Sequence, residues 1–109
     1  MLILKLFLWD VETDEEIPGD APLEASCGAA LKRLRDLSAV DGSFIGFELP
    51  SKEIVQFMWD DEETLHVDIP AKNGSYGKDV SQEEAERIIT GLFNGLNPVH
   101  IEGLTFESY

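Results

Sequence analysis

Apolar and polar residues follow one another along the chain in patterns that predict both strands and helices. The run from Leu2 to Val11 is rich in β-favouring residues and has no helical period, so it predicts a strand that lies centrally in the sheet or is covered on both faces. Leu23–Leu37 carries apolar residues at three- and four-residue steps, which predicts a helix with Pro22 in its first turn and Asp20 as its cap. The acidic segment 13–22, with two prolines, predicts a loop.

Three short segments that follow alternate apolar and polar residues, which is the period of half-buried strands. Their inward positions are Ile45, Phe47, Leu49, Val55, Phe57, Trp59, Leu65, Val67 and Ile69. The loops between the segments are short, so they predict two antiparallel hairpins and a three-strand meander. The opposite face of the meander is expected to be wetter, with Glu48, Gln56, His66 and Asp68 on it.

The last third of the chain predicts a second helix. Residues 71–80 are polar and contain glycine, which predicts a loop that presents Tyr76. Ser81 and Glu84 have the spacing of a capping box, and Gly95 fits a helix end. Between them, apolar residues recur at helical steps, namely Ala85, Ile88, Ile89, Leu92 and Phe93. Val99 to Phe106 alternates weakly, and a last edge strand and an extended tail both stay open for it.

These elements together predict an α+β fold in a single domain, 1–109. The expected sheet is antiparallel and has four to five strands. The expected order is strand, helix, three-strand meander, helix and either a last strand or a tail, with both helices packed on one face. A hydrophobic content of 43% in 109 residues is enough for one core, so disorder is not expected.

Charge adds a strong constraint on partners. The chain has 22 Asp and Glu against 8 Lys and Arg, a net charge of −14. Such a field repels phosphate backbones and anionic lipid and attracts cationic proteins from a distance. We therefore expect a basic protein partner, no nucleic acid and no membrane. An adaptation of the surface to a salt-rich cytoplasm would give the same composition and stays open.

The apolar start of the chain does not have the pattern of an export signal. It has no basic leading region, Lys5 interrupts the apolar run, and Asp10 and Glu12 follow in place of a small-residue cleavage site. The run is also too short to span a bilayer. The single Cys27 excludes an intramolecular disulfide. We expect a cytoplasmic protein.

A calcium loop is the first chemical motif to test, because Asp10, Glu12 and Asp14 offer oxygen ligands at alternate positions. Such a loop needs Gly at its sixth position and an acid at its twelfth. Those positions hold Glu15 and Ala21, so both requirements fail. A solvated acidic loop is the better interpretation.

No catalytic or cofactor motif emerges elsewhere. Cys27 lies on the apolar stripe of the first predicted helix, where a buried thiol is inert. His66 and His100 lack the spacing of a metal site. The glycine-containing loop 73–78 lacks the spacing of a phosphate-binding loop. We expect no catalytic residue, no metal and no cofactor.

The four consecutive acids Asp60 to Glu63 stand in the second hairpin turn beside Trp59, which alternation places in the core. We find no structural role for these acids in the sequence. A solvated turn and a contact patch for a cationic partner are both open interpretations. The predicted partner-binding residues are Asp60, Asp61, Glu62, Glu63, His66, Asp68 and Tyr76.

The segment 43–94 resembles the small immunity proteins of bacterial polymorphic-toxin systems. The resemblance lies in the motifs Phe44-Ile45-Gly46-Phe47, Ile54-Val55-Gln56-Phe57, Leu65-His66-Val67-Asp68-Ile69, Gly74-Ser75-Tyr76-Gly77 and Ser81-Gln82-Glu83-Glu84-Ala85. It implies a non-enzymatic inhibitor that neutralises a basic toxin of nuclease or deaminase type. No binding residue of that family transfers to this chain position by position.

Two alternatives to the inhibitor remain. One is a structural or assembly module that forms a homodimer through an open strand edge. The other is a small enzyme that uses carboxylates such as Asp60, Asp61 or Asp68 on a metal. The missing ligand spacing argues against the enzyme.

Overall fold

The computed structural model describes residues 2–109, so Met1, the first residue of the expected domain, lies outside the described residues. The strands are β1 Leu4–Trp9, β2 Glu16–Ile17, β3 Leu23–Ala25, β4 Phe44–Glu48, β5 Ile54–Trp59, β6 Leu65–Ala71, β7 Gly74–Val80 and β8 Thr105–Ser108. The helices are α1 Cys27–Asp36, α2 Gln82–Phe93 and a short 3₁₀ helix, Pro98–His100. The α+β class with two α-helices is confirmed, whereas the expected four to five strands were too few.

All eight strands form one open antiparallel sheet in the order β2-β1-β4-β5-β6-β7-β8. The one strand missing from this order, β3, pairs with the start of β1. The strand β2 pairs with the end of β1 along the same edge. The three-strand meander is confirmed as β4, β5 and β6. Because β1 pairs along both edges, it lies inside the sheet, as its apolar sequence predicts.

The core lies between one face of the sheet and the two helices. Phe47 on β4 contacts Phe57 on β5 and Phe93 on α2 edge to face, with ring centroids 6.4 and 6.0 Å apart. Ala30 and Leu34 of α1 belong to the same buried cluster. Each of these side chains loses almost all its contact with water, which supplies the main driving force for folding.

Trp59 is in this core, as alternation predicts, with 9% of its surface exposed. Its indole Nε1 has no hydrogen-bond partner among the described residues. The buried N–H therefore lowers the stability of the fold, because it loses its hydrogen bond to water on folding and gains none in return.

The first helix begins later than its sequence pattern predicts. Leu23–Ala25 pairs with β1 as β3, and Ser26 caps α1 through a hydroxyl that accepts the N–H of Ala29 at 3.3 Å. Pro22 and Asp20 thus precede a strand and have no capping role. The free edge of β1 offers backbone partners to β3, and this tertiary pairing overrides the helical pattern.

Two segments expected to be loops contain strands. The segment 71–80 contributes β7, which pairs with β6 along its whole length, and the acidic segment 13–22 contributes the short β2. Backbone hydrogen bonds rather than apolar alternation hold β7, since its outward residues are Ser75, Gly77 and Asp79. At the end of the chain a strand does form as β8, which shares only its first two residues with the expected range.

The second helix agrees with its sequence signals, apart from half of the capping box. Ser81 accepts the N–H of Glu84 at 3.0 Å, whereas the Glu84 carboxylate binds the Lys78 ammonium at 2.6 Å rather than the backbone of Ser81. Gly95 follows the C-cap Asn94 with φ of 90°, a conformation that favours glycine.

We predict that Ser81→Ala lowers the free energy of unfolding by about 1 kcal/mol, because it removes the capping acceptor. Ile89→Ala should cost more, about 2–5 kcal/mol, because Ile89 is fully buried and its loss leaves a cavity. Urea denaturation of the two variants measures both losses. Equally small losses would show that Ile89 does not pack in the core.

Candidate functional site

Within residues 2–109, neither α-helix packs on the second face of the sheet, and we call this face the open face. The strand register aligns Trp9, Phe44, Met58, His66 and Asp79 in one row across β1, β4, β5, β6 and β7. Trp9 and Met58 are each 39% exposed, which is high for large apolar side chains. The row therefore passes from an apolar end to a polar, acidic end.

The apolar end is completed by Phe7, which lies in the next row opposite Gly46. A Cβ atom at position 46 would clash with Cζ and Cε2 of the Phe7 ring. The missing side chain lets that ring cover β4, and the ring also packs against Phe44 edge to face at 6.2 Å. This part of the open face is thus a patch of Trp9, Phe44 and Met58 beside the Phe7 ring, which is itself only 8% exposed. The sequence of β1 does not indicate that its outward residues lie beside those of β4 and β5.

At the acidic end, His66 and Asp79 face each other across β6 and β7. Nδ1 of His66 is 3.0 Å from Oδ1 of Asp79. Asp60, in the turn after β5, brings a carboxylate oxygen close, and one ligand atom from each of the three residues lies within 4.8 Å of the others. Within residues 2–109, no Lys or Arg forms an ion pair with Asp60 or Asp79.

Asp68 lies one row further along the open face, where its Oδ2 accepts the side-chain amide of Gln56 at 3.2 Å. A depression of about 90 Å³ beside it is lined by His66, Asp68, Ser75, Gly77, Thr105 and Glu107. The His66 ring lies over Gly77, since a Cβ atom there would be 2.6 Å from Nε2. Three of the predicted partner-binding residues, Asp60, His66 and Asp68, are thus brought together on the open face.

The four acids of the β5–β6 turn do not share one role. Oδ1 of Asp61 accepts the backbone N–H groups of Glu63 and Thr64 at 2.8 and 2.7 Å. These backbone hydrogen bonds hold the pKa of Asp61 below its ordinary value. The expectation that the acids lack a structural role was therefore wrong for Asp61, whereas Asp60, Glu62 and Glu63 are exposed carboxylates.

Tyr76 lies on the other side of the sheet from His66, because it pairs with Ile69 on the helix-facing side. It is 44% exposed and stacks at a tilt on Phe106, with centroids 5.0 Å apart. There it helps to line a groove of about 370 Å³ together with apolar residues of the segment 98–104. Among the described residues, Glu53 is the one charged side chain in that lining. Tyr76 is not part of the open face.

Asp10 is not in a solvated acidic loop, because only 3% of its surface is exposed. Oδ1 accepts the N–H groups of Glu12 and Thr13 at 3.0 and 3.1 Å, and Oδ2 accepts the N–H of Ser38 at 2.9 Å. Burial alone would raise the pKa of Asp10, but these hydrogen bonds outweigh it and lower the pKa below its ordinary value. Its carboxylate ties the end of β1 to the segment after α1.

The other two acids of the rejected calcium loop do not join Asp10 in a ligand set. Asp14 has a φ of 61° and accepts the Trp9 indole N–H at 3.3 Å, and Glu12 is exposed. Cys27 is buried in the core, as expected, and His100 belongs to the 3₁₀ helix, outside the row on the open face.

Comparison of the chain with protein-family models, with curated proteins and with solved structures finds no match. Within residues 2–109, neither α-helix combines the length and the apolar character that a bilayer crossing needs, and they have 10 and 12 residues. The function is therefore inferred from the open face itself.

We predict that Asp10→Asn lowers the free energy of unfolding at neutral pH by about 1–3 kcal/mol, because it weakens charge-assisted hydrogen bonds. A folded-state pKa below the unfolded value means that this stabilisation is complete above about pH 4 and is lost as the pH falls through the folded pKa. Urea denaturation at several pH values should show the difference from the wild type shrinking in acid. The matched control is Glu12→Gln, which neutralises an exposed neighbouring acid. If the difference between Asp10→Asn and the wild type did not change with pH, the stabilising role of the Asp10 carboxylate would be contradicted.

Proposed function

We propose that the protein is a non-enzymatic acidic binding protein that inhibits a basic protein partner, and that the open face is its contact surface. The observation that carries the proposal is the row of Trp9, Phe44, Met58, His66 and Asp79. Exposed aromatic and Met side chains are enriched at protein interfaces, where they supply most of the binding energy. Acidic groups at one end of such a patch suit a cationic partner.

The charge of the whole molecule supports the choice of partner. A net charge of −14 accelerates the encounter with a basic surface, and the acids nearest the patch fix its orientation. A toxin that grips nucleic acid has a positive groove, which an acidic protein can fill. The resemblance of the segment 43–94 to immunity proteins favours a nuclease- or deaminase-like toxin as the target. We place the encounter in the cytoplasm, where the lone buried Cys27 stays reduced.

The cavities favour binding over catalysis. Sites for small molecules usually enclose about 300–1,000 Å³, and the depression beside His66 encloses about 90 Å³. The groove of about 370 Å³ is large enough, but among the described residues Glu53 is the one charged side chain in its lining, and the other lining residues are mostly apolar. The His66–Asp79 pair lies on an open surface, where water reaches it freely.

Self-association through β8 is a second candidate. This strand pairs with β7 alone among the described strands, and all four of its residues are exposed. An open edge of this kind can add a strand from another copy. Glu107 at its centre places like charges together in a symmetric pair, which favours the inhibitor over the homodimer. A sedimentation coefficient that rises with protein concentration would support the homodimer.

Affinity capture from the source cell tests the proposed inhibitor function. It compares the wild type with one variant altered on the open face and one altered outside it. Met58→Lys introduces a charge into the patch, while Val99→Lys introduces the same charge at a residue that is 71% exposed outside it. The wild type and Val99→Lys should capture a basic protein and inhibit its activity, whereas Met58→Lys should not. Equal capture by both variants would place the interface elsewhere.

We predict that neutralising Asp60, Glu62 and Glu63 to Asn and Gln slows association with the captured partner about tenfold at low salt. Asp61 is left in place because it holds the turn. The variant should also show a weaker dependence of the association rate on salt. Stopped-flow mixing at several salt concentrations measures both quantities.

A second triple variant controls for the loss of overall charge. Neutralising Asp36, Glu83 and Glu102 changes the net charge from −14 to −11, as the first set does, but at sites away from the β5–β6 turn. Recognition by the turn requires the first set to slow association more than the second. Equal rates for the two would mean that the turn is a solvated loop and that acidity serves solubility.

A further inference from the structure

We propose that Asp60, His66 and Asp79 form a binding site for a divalent transition-metal ion, with zinc as the best-suited metal. The three residues come from the turn after β5, from β6 and from β7, and the antiparallel register brings them together at one end of the open face. This reverses the expectation from spacing, because ligands at positions 60, 66 and 79 form no recognisable sequence motif. It does not depend on the proposed function.

The geometry is close to what a zinc ion needs. Zinc bonds to nitrogen and oxygen ligands at about 2.0–2.2 Å, so two ligand atoms on one ion lie roughly 3–4 Å apart. Nδ1 of His66 and Oδ1 of Asp79 are already 3.0 Å apart. The oxygen of Asp60 completes a set whose atoms all lie within 4.8 Å of one another, a separation that rotation of exposed carboxylates can reduce. Three protein ligands leave a fourth position for water.

The fold also restrains the histidine in a useful orientation. His66 lies directly opposite Asp79, and its ring extends over Gly77, where a side chain would meet Nε2. The Nδ1 atom is therefore directed to the aspartate. Both ligands are on paired strands, so their spacing is set by the β6–β7 ladder rather than by a loop.

Charge and ligand type decide which cation fits. Within the described part of the chain, neither aspartate has a Lys or Arg partner, and the His66 ring is the one side-chain partner of Asp79, so little opposes the repulsion between the two carboxylates. A divalent ion removes that repulsion, and the imidazole favours zinc, cobalt or nickel over calcium and magnesium.

Titration of the full chain, stripped of metal by a chelator, with Zn²⁺ tests the site. The sequence has two histidines, so the imidazole nitrogen signals of His66 and His100 can be followed separately by NMR. We expect the His66 signals to shift and saturate at one equivalent of zinc, while those of His100 stay in place. Titration calorimetry should give one site, and Ca²⁺ and Mg²⁺ should give only weak heats that salt suppresses.

Variants assign the ligands. His66→Gln and Asp79→Asn should each weaken zinc binding about tenfold or more, because each removes one of three ligands. His100→Gln and Asp68→Asn are the matched controls, since the first removes the other histidine and the second a carboxylate of the same face. Both controls should bind zinc as the wild type does. Circular dichroism of the metal-free variants checks that each is folded.

The proposal is overturned if no saturable heat appears, if both histidines shift together, or if His66→Gln binds as tightly as the wild type. Each result is obtained without a protein partner. A failed metal site would therefore leave the inhibitor proposal intact, and a failed capture experiment would leave the metal site intact.

Discussion

The contact of Phe47 with Phe57 and Phe93 joins the sheet to α2, and the two-sided character of the molecule depends on it. These three rings are fully buried. Since successive side chains of a strand point to opposite faces, fixing Phe47 and Phe57 inward fixes their neighbours outward. Met58 and Gln56 are thus held on the open face by residues that are buried on the other side of the sheet. The position of the proposed contact surface follows from how the core packs on the other side.

The sequence predicts those elements whose apolar and polar side chains follow the period of a half-buried strand or helix. The meander and α2 are of this kind, because their apolar residues alternate or recur with a clear period. The strands β3 and β7 are not, since neighbouring strands supply the partners that hold them. The apolar positions of Leu23–Leu37 form what looks like a single helical stripe, although they belong to β3 and α1. Only the pairing of β3 with the open edge of β1 distinguishes the strand from the helix. A pattern read along one segment cannot contain that information.

The candidate site was predictable to the extent that the strands were. Alternation placed His66 and Asp68 together on the wetter face, whereas assigning 71–80 to a loop concealed Asp79. Recognising Lys72-Asn73 as the turn of a hairpin would have placed Asp79 opposite His66. The role of Asp10 was beyond reach, because its carboxylate binds a backbone group 28 residues away. Asp61 likewise acts on backbone donors, whose direction is known only once the turn has formed.

The fluorescence of the two tryptophans reports on different parts of the molecule. Trp59 lies in the core, where its indole N–H lacks a hydrogen-bond partner among the described residues, and Trp9 lies on the open face beside Asp14. An indole in apolar surroundings emits at shorter wavelength than one in contact with water. The fluorescence of the unmodified chain therefore contains two separable reporters. Loss of the blue component follows the opening of the core, and a change in the red component follows the covering of the open face.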